Sequence, residues 1–250
     1  MFGNPAHIEA DIERNAAFDR VDTWIFDLDN TLYPARSSLF GQIDDRIRAF
    51  VARELGVSLE AAHKLQKDLY RRYGTSLRGL MTEHGFEPKP FLDYVHDIDH
   101  SVLDADPRLA KAIGALPGRH FIMTNGTRAH AEKTAAQLGI GEQFDGIFDI
   151  VAADLVPKPS PEAYGTFFAL HGIEPTHSAM FEDLSRNLAV PHAAGIRTVL
   201  VTPQGGPATF RDASDETGDK APHVDFVTDD LAGFLETLVA GRMTTPRNRR

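Results

Sequence analysis

The sequence predicts an α/β fold: a parallel sheet core with a helical cap inserted after the first strand. Three observations carry this expectation. From residue 21 onward, short apolar runs alternate with stretches of helical periodicity, the pattern of strands joined by helical crossovers. Four of the five strand-to-helix units lie after residue 119. The region between, residues 37–106, has no strand pattern and reads as helix. The core is therefore expected to be Rossmann-like, with ligands bound in the crevice at the carboxyl ends of its strands.

In chain order, the first strand is placed at residues 23–26, an apolar run that includes Trp24, Ile25 and Phe26. In the cap, Ile43, Ile47, Phe50 and Val51 share one helical face, and Leu65, Leu69 and Tyr73 share another. Gly56, Gly74, Gly85 and the Pro88-Lys89-Pro90 run divide it into separate helices. Further strands are expected at residues 120–123, 146–151, 179–181 and 198–201, with a sixth near Phe226. Residues 128–138 form a helix closed by Gly139, and residues 161–170 one opened by Ser160 and Pro161 and closed at Gly172. The last helix is placed at residues 230–238, and residues 205–221 are polar, interrupted by Gly and Pro, and read as a surface loop. The expected division is an extension over 1–20, an α/β core over 21–36 and 107–240, a helical cap over 37–106 and a flexible tail over 241–250.

Composition narrows the function classes. The 250 residues are 42% hydrophobic and 25% charged, as in an ordinary globular protein. With no cysteine, disulfides, thiolate metal sites and cysteine nucleophiles are all excluded. No apolar run reaches the ~20 residues of a membrane span, and the first twenty residues contain no signal-peptide apolar core, so a cytoplasmic protein that does not engage a membrane is expected. The net charge of -10 argues against a nucleic acid polymer as partner. The basic cluster Arg247, Arg249 and Arg250 reads as a solvated terminus.

The chemistry lies in four segments, each placed at the carboxyl end of a predicted strand: Asp27-Leu28-Asp29-Asn30-Thr31, Thr124-Asn125-Gly126, Lys158 and Glu182-Asp183. In a parallel sheet these ends share one edge, so four sequence-distant segments converge. Asp27, Asp29 and Asp183, with Glu182 nearby, offer hard oxygen ligands without Cys or His, a set suited to Mg²⁺. Such an ion stabilises adjacent carboxylates that would otherwise raise one another's pKa. Thr124 offers a hydroxyl, Asn125 and Gly126 offer backbone N–H groups at a helix start, and Lys158 a compact positive charge. A carboxylate nucleophile, a cation and phosphate-cradling donors are the means of phosphoryl transfer through an aspartyl-phosphate.

These four ordered segments, with Asn187, resemble the motifs of the haloacid dehalogenase (HAD) superfamily over roughly residues 21–238, and the insert resembles its C1-type cap. The resemblance implies that Asp27 attacks phosphorus, and that Asp29 protonates the leaving oxygen, then activates water, while its backbone carbonyl binds Mg²⁺. Thr124 and Lys158 would hold the phosphoryl group, Asp183 would complete the metal site, and Thr31 would steady the Asp27 loop. Glu182 would bind the metal through water or orient its ligands. Asn187 would bond the metal loop or cap the following helix. Dehalogenases lack an acid at the position of Asp29, so that residue points to phosphate esters.

The runs Asp29-Asn30-Thr31-Leu32-Tyr33-Pro34, Phe181 to Leu188 and Tyr94 to Asp99 resemble the pyrimidine 5′-nucleotidases of this superfamily. The partner implied is a small phosphate monoester, a nucleotide above others. Alternatives are a sugar phosphomutase, a phosphatase for a sugar phosphate or phosphoglycolate, and a non-catalytic binding protein. His96, Asp97, Asp99 and His100 read as a linker rejoining the core, with His96 a candidate for substrate contact. The other histidines, His130 among them, read as surface or packing residues, and Phe40, Tyr70 and Tyr73 as cap core.

Overall fold

The computed structural model describes residues 13–203 and 221–244. Six parallel strands form one sheet in the order β3-β2-β1-β4-β5-β6. They are β1 (Thr23–Phe26), β2 (Arg119–Met123), β3 (Gly146–Phe148), β4 (Ser178–Glu182), β5 (Arg197–Val201) and β6 (Phe226–Thr228). This is the Rossmann-like order, with β1 flanked by β2 and β4 at the point where the strand order reverses. Side chains alternate between two cores as the two-residue strand period requires. Trp24, Phe26, Ile122, Ala179, Phe181, Val199 and Val201 pack on one face. Ile25, Phe121, Met123, Met180 and Leu200 pack on the other. Both faces are covered, which is why the strands read as unbroken apolar runs. The Phe26 and Phe181 rings stack at 4.8 Å across neighbouring strands.

The first face is covered by α5 (Pro107–Gly114), α6 (Arg128–Leu138) and α9 (Leu231–Thr244), the second mainly by α7 (Pro161–His171), with the short α8 (Ala189–Ala194) beside it. Local sequence starts and stops these helices: Asp106 caps α5 through the Leu109 N–H at 2.8 Å, Thr127 caps α6 through that of His130, and Gly139 closes α6 at φ +73°. Strand β3 stops at Phe148 instead of running to 151, because Asp149 turns the chain. Its carboxylate accepts from the N–H groups of Arg128 and Ala152, at 2.8 and 2.9 Å. Helix α5 had no counterpart in the expected elements. Helix α9 outruns its expected end and takes in residues 241–244 of the expected tail. Residues 245–250 and nearly all of the expected 205–221 loop lie outside the described residues.

Between β1 and α5 stand four helices, α1 (Leu39–Leu55), α2 (Leu59–Tyr73), α3 (Ser76–His84) and α4 (Pro88–Val95). They share their own core of Phe50, Val51, Leu69, Leu80, Phe91 and Val95. One member of that core, Ile150, comes from the loop after β3. Helix α3 crosses α2 at Gly79, where a Cβ would stand 2.7 Å from that of Leu69. Truncating a ring such as Phe91 in this small core should cost about 3–5 kcal/mol. Among the described residues no helix is long and apolar enough to cross a membrane.

Candidate active site

Asp27 follows β1 directly, and its N–H donates to the Phe181 carbonyl at 2.9 Å, so the sheet itself fixes the backbone of this residue. The chain then turns tightly, with Leu32 N–H donating to Leu28 O at 3.0 Å and Asn30 at φ +61°. The fully buried Leu28 anchors the turn, and Asp27 and Asp29 both line the cavity above it.

Lys158 meets Asp27 there, its Nζ donating to Asp27 Oδ1 at 2.7 Å and to the Met123 carbonyl at 2.8 Å, with Glu182 Oε1 at 3.5 Å. Thr31 Oγ1 donates to Asp27 Oδ2 at 3.1 Å. Asn125 clamps the Lys158 backbone from both sides: its Oδ1 accepts from Lys158 N–H at 2.8 Å and its Nδ2 donates to Lys158 O at 3.2 Å. The Asn125 side chain therefore positions the lysine. The Gly126 N–H, expected to face a phosphate, donates instead to Thr124 Oγ1 at 2.9 Å. Asn187 donates to Glu182 Oε1, and α8 begins at Ala189 with no side-chain cap.

Asp27, Thr124, Lys158, Glu182 and Asp183 are all buried. Burial pushes the Lys158 ammonium down, but the Asp27 and Glu182 carboxylates outweigh it and hold the pKa above the ordinary lysine value. Burial, then Asp27, raises Glu182 well above the usual carboxylate range. For Asp27, burial raises the pKa while Lys158 opposes it. The pair is read as ion-paired, because an ammonium at hydrogen-bond distance favours the charged carboxylate.

Asp27, Glu182 and Asp183 each offer an oxygen within 4.8 Å of the others. Three buried carboxyl groups face a single ammonium, Lys158, so a small divalent cation among them would favour their ionised forms. Glu182 Oε2 is buried without a hydrogen-bond partner among the described residues, an acceptor that a cation or its water would satisfy. The donor set fits a hard metal ion.

Asp29 is held apart from this cluster. Its Oδ1 accepts from the Tyr33 hydroxyl at 2.5 Å and faces His130 Nε2 at 2.9 Å. Burial pushes Asp29 up, yet the charge and hydrogen bond of His130 and the Tyr33 bond outweigh it and leave the carboxyl below its ordinary value. Burial also drives His96, stacked on His130, down to about 4, with His130 adding to the shift. Sequence reasoning used Tyr33 only within the run that resembles pyrimidine 5′-nucleotidases and placed His130 among surface or packing residues, so neither was expected against Asp29. The signal available was His130 on the first turn of the helix that follows Thr124-Asn125-Gly126.

The four-helix insert covers this floor. Phe40, Ile43, Ile47, Tyr70, Phe91 and Val95 line the cavity opposite the carboxylates, and the Arg186 guanidinium lies 4.4 Å from the Tyr70 ring centre at its wall. His96 lines the cavity too, while Asp97 and Asp99 are exposed, Asp97 paired with Arg46 at 3.1 Å and Asp99 capping the turn at His100.

Residues 21–195 match the family model for a haloacid dehalogenase-like hydrolase. Phosphate metabolism protein 8 of Saccharomyces cerevisiae is 27% identical over 177 residues, 64% of this chain and 54% of that protein. The chain thus spans about half the length of this curated relative. Among solved structures, a HAD phosphatase from Thermococcus onnurineus is similar with a TM-score of 0.58 and 15% identity, covering 88% of this chain and 99% of that one. L-2-haloacid dehalogenase from Xanthobacter autotrophicus is similar with a TM-score of 0.53 and 15% identity, over 86% and 97%. At such identities the likeness is one of fold, and one fold hosts different chemistries.

Proposed function

This chain belongs to the haloacid dehalogenase-like hydrolase family, and on that premise we propose that it is a Mg²⁺-dependent phosphomonoester hydrolase. Its substrate in this reading is a pyrimidine nucleoside 5′-monophosphate, and it works through an aspartyl-phosphate at Asp27. The observation that carries the reading is the separation of two aspartates two residues apart. Asp27 is paired with Lys158 beside Glu182 and Asp183, whereas Asp29 is turned away onto Tyr33 and His130. Two carboxylates in unlike environments suit two roles.

An Asp27 oxygen forms a bond to phosphorus as the ester P–O bond breaks, and Asp29 delivers a proton to the departing oxygen. Water then attacks phosphorus, its proton passes to Asp29, and Asp27 leaves as a carboxylate. Lys158 orients Asp27 and meets the charge of the phosphoryl oxygens, with Thr124 beside it. Asp27, Glu182 and Asp183, together with the Asp29 carbonyl, would hold Mg²⁺, which would supply electrostatic stabilisation of the phosphoryl group.

The roof supports a nucleotide over a bare polyol. The Phe40, Ile43, Ile47 and Phe91 side chains offer apolar contact, which suits a base and leaves sugar hydroxyls unpaired. The insert is read as a C1-type cap closing over residues 21–36 and 107–240, with a cytoplasmic location matching the cysteine-free sequence.

Phosphate release from UMP, CMP, dTMP, AMP, GMP, sugar phosphates, phosphoglycolate and pyridoxal phosphate, with Mg²⁺ or with EDTA, tests the proposal. Turnover of pyrimidine nucleotides that EDTA abolishes supports it. Preference for a sugar phosphate overturns the nucleotide part. Isomerisation of a hexose phosphate without free phosphate, in the presence of its bisphosphate, identifies a phosphomutase. Release from no substrate leaves a binding protein.

A further inference from the structure

His130 stands on the first turn of α6, its side chain fully buried, with Nε2 2.9 Å from Asp29 Oδ1. The Tyr33 hydroxyl donates to that same oxygen. Among the described residues no hydrogen bond reaches Oδ2, while Asp29 keeps 16% of its side chain accessible and lines the cavity. Both fixed donors therefore sit on one oxygen, and the other remains for the cavity.

His130 is itself held on three sides. Its Nδ1 lies 3.2 Å from His100 Nε2, and its ring stacks on His96 at 4.9 Å between centres and 23° between planes. Gly126 packs on its edge, where a Cβ would come within 3.1 Å of His130 Cδ2. With the acid's proton carried on Oδ2, Oδ1 only accepts hydrogen bonds, so Nε2 donates to Asp29 Oδ1, and Nδ1 is left to accept from His100. A carboxyl group without such anchors exchanges its two oxygens by rotation about its terminal torsion, which is broad and two-fold.

We propose that His130, braced by His100 and His96, is a positioning residue that presents Oδ2 of Asp29 to the ester oxygen of the substrate. This rests on Asp29 acting as acid and base in phosphate-ester hydrolysis. As the ester P–O bond breaks, its electron pair stays on the leaving oxygen, which takes the proton from Oδ2. In the second step the attacking water returns a proton to Oδ2 as its oxygen bonds phosphorus and the Asp27 O–P bond breaks, its electron pair returning to the Asp27 carboxylate. A misdirected Oδ2 harms the first step most when the leaving oxygen is strongly basic.

The test compares UMP, an alkyl ester, with p-nitrophenyl phosphate, whose leaving group needs little protonation. His130→Ala should lower kcat on UMP by about 100-fold and on p-nitrophenyl phosphate by less than about 5-fold, with KM nearly unchanged. His130→Gln, whose amide nitrogen can occupy the place of Nε2, should regain most of the loss. Equal losses on the two esters, a raised KM with kcat intact, or no rescue by Gln would overturn the proposal. Should His130→Ala fail to fold, Tyr33→Phe removes the other donor without opening a cavity. It must show a smaller split of the same sense, and no split overturns the proposal. Wild-type protein inactive on both esters sinks the hydrolase reading instead. The pairing is then read by imidazole ¹⁵N NMR, where the His130 Nε2 resonance must shift on Asp29→Ala; an unshifted resonance refutes the role given to His130.

Discussion

The floor and the roof of the cavity use polar groups in opposite ways. On the floor, Asp27, Lys158, Glu182 and Asp183 are buried together, with Lys158 bonded to Asp27 and to the Met123 carbonyl and Asn187 bonded to Glu182. On the roof, charged pairs such as Lys64 with Glu60, Lys89 with Asp93 and Arg72 with Glu83 lie on the outer surface, and apolar side chains face inward. Floor charges lack bulk water and interact strongly, whereas exposed pairs contribute about 0–1 kcal/mol each. In the proposed hydrolase the floor would set which bond is broken and the roof which molecule presents it. Changes at these four floor residues should therefore act on every substrate alike, changes at the Asp29–His130 pair should separate esters by the basicity of the leaving oxygen, and changes on the roof should separate substrates by the group they carry.

The largest effect is expected from Asp27→Asn. Loss of the proposed nucleophile should lower phosphate release from every substrate by on the order of 10⁴-fold or more. A residual rate that differs among substrates would break the floor–roof division. Lys158→Met should come next, as a loss of stability as well as rate. It strands the Asp27 and Glu182 carboxylates without their ammonium, at a cost of about 3–5 kcal/mol. Denaturant unfolding in EDTA measures this, and an unchanged midpoint would show that the floor does not depend on the ion pair.

On the roof, Phe40→Ala should raise KM for the preferred nucleotide about 5- to 30-fold through lost apolar contact, with p-nitrophenyl phosphate hydrolysis nearly unaffected. Equal losses on both would place Phe40 with the floor. The smallest effect belongs to the outer surface. Bonds from Arg72 and Tyr73 hold Glu83 down to about 2. A carboxyl with a depressed folded pKa contributes stability above its unfolded value near 4.5 that is lost as pH falls towards 2. Glu83→Gln should therefore lower the thermal midpoint slightly at pH 7, and the gap from wild type should close between pH 4.5 and 2. A gap that persists at pH 2 would assign the effect to packing.

The same division explains what the sequence made legible. The floor was readable because each of its segments follows an apolar strand, and parallel strand ends must share an edge. The third strand was overextended because Val151 and Ile150 are apolar. Only the Asp149 side chain, bonded to two backbone N–H groups, ends it early. The roof was much less readable. Ile43 and Ile47 were assigned to one helical face correctly, but whether that face meets a neighbouring helix or a cavity depends on how α1, α2 and α4 pack together. His130 was hidden for a related reason. Its partner Asp29 lies on another strand's loop, and a place in the first turn after Thr124-Asn125-Gly126 puts a histidine near the sheet edge without naming the group it will face.

Ile150 gives the boundary between floor and roof a practical meaning. Its side chain belongs to the core of the four helices, while its N–H donates to the Gly126 carbonyl at 3.1 Å, in the loop that carries Thr124 and Asn125. The helical unit is therefore not a cassette delimited by residues 37 and 106. Anyone transplanting a foreign roof onto this sheet must carry over a matching residue at position 150. A graft confined to the contiguous segment would meet a plug shaped for the helices it replaced.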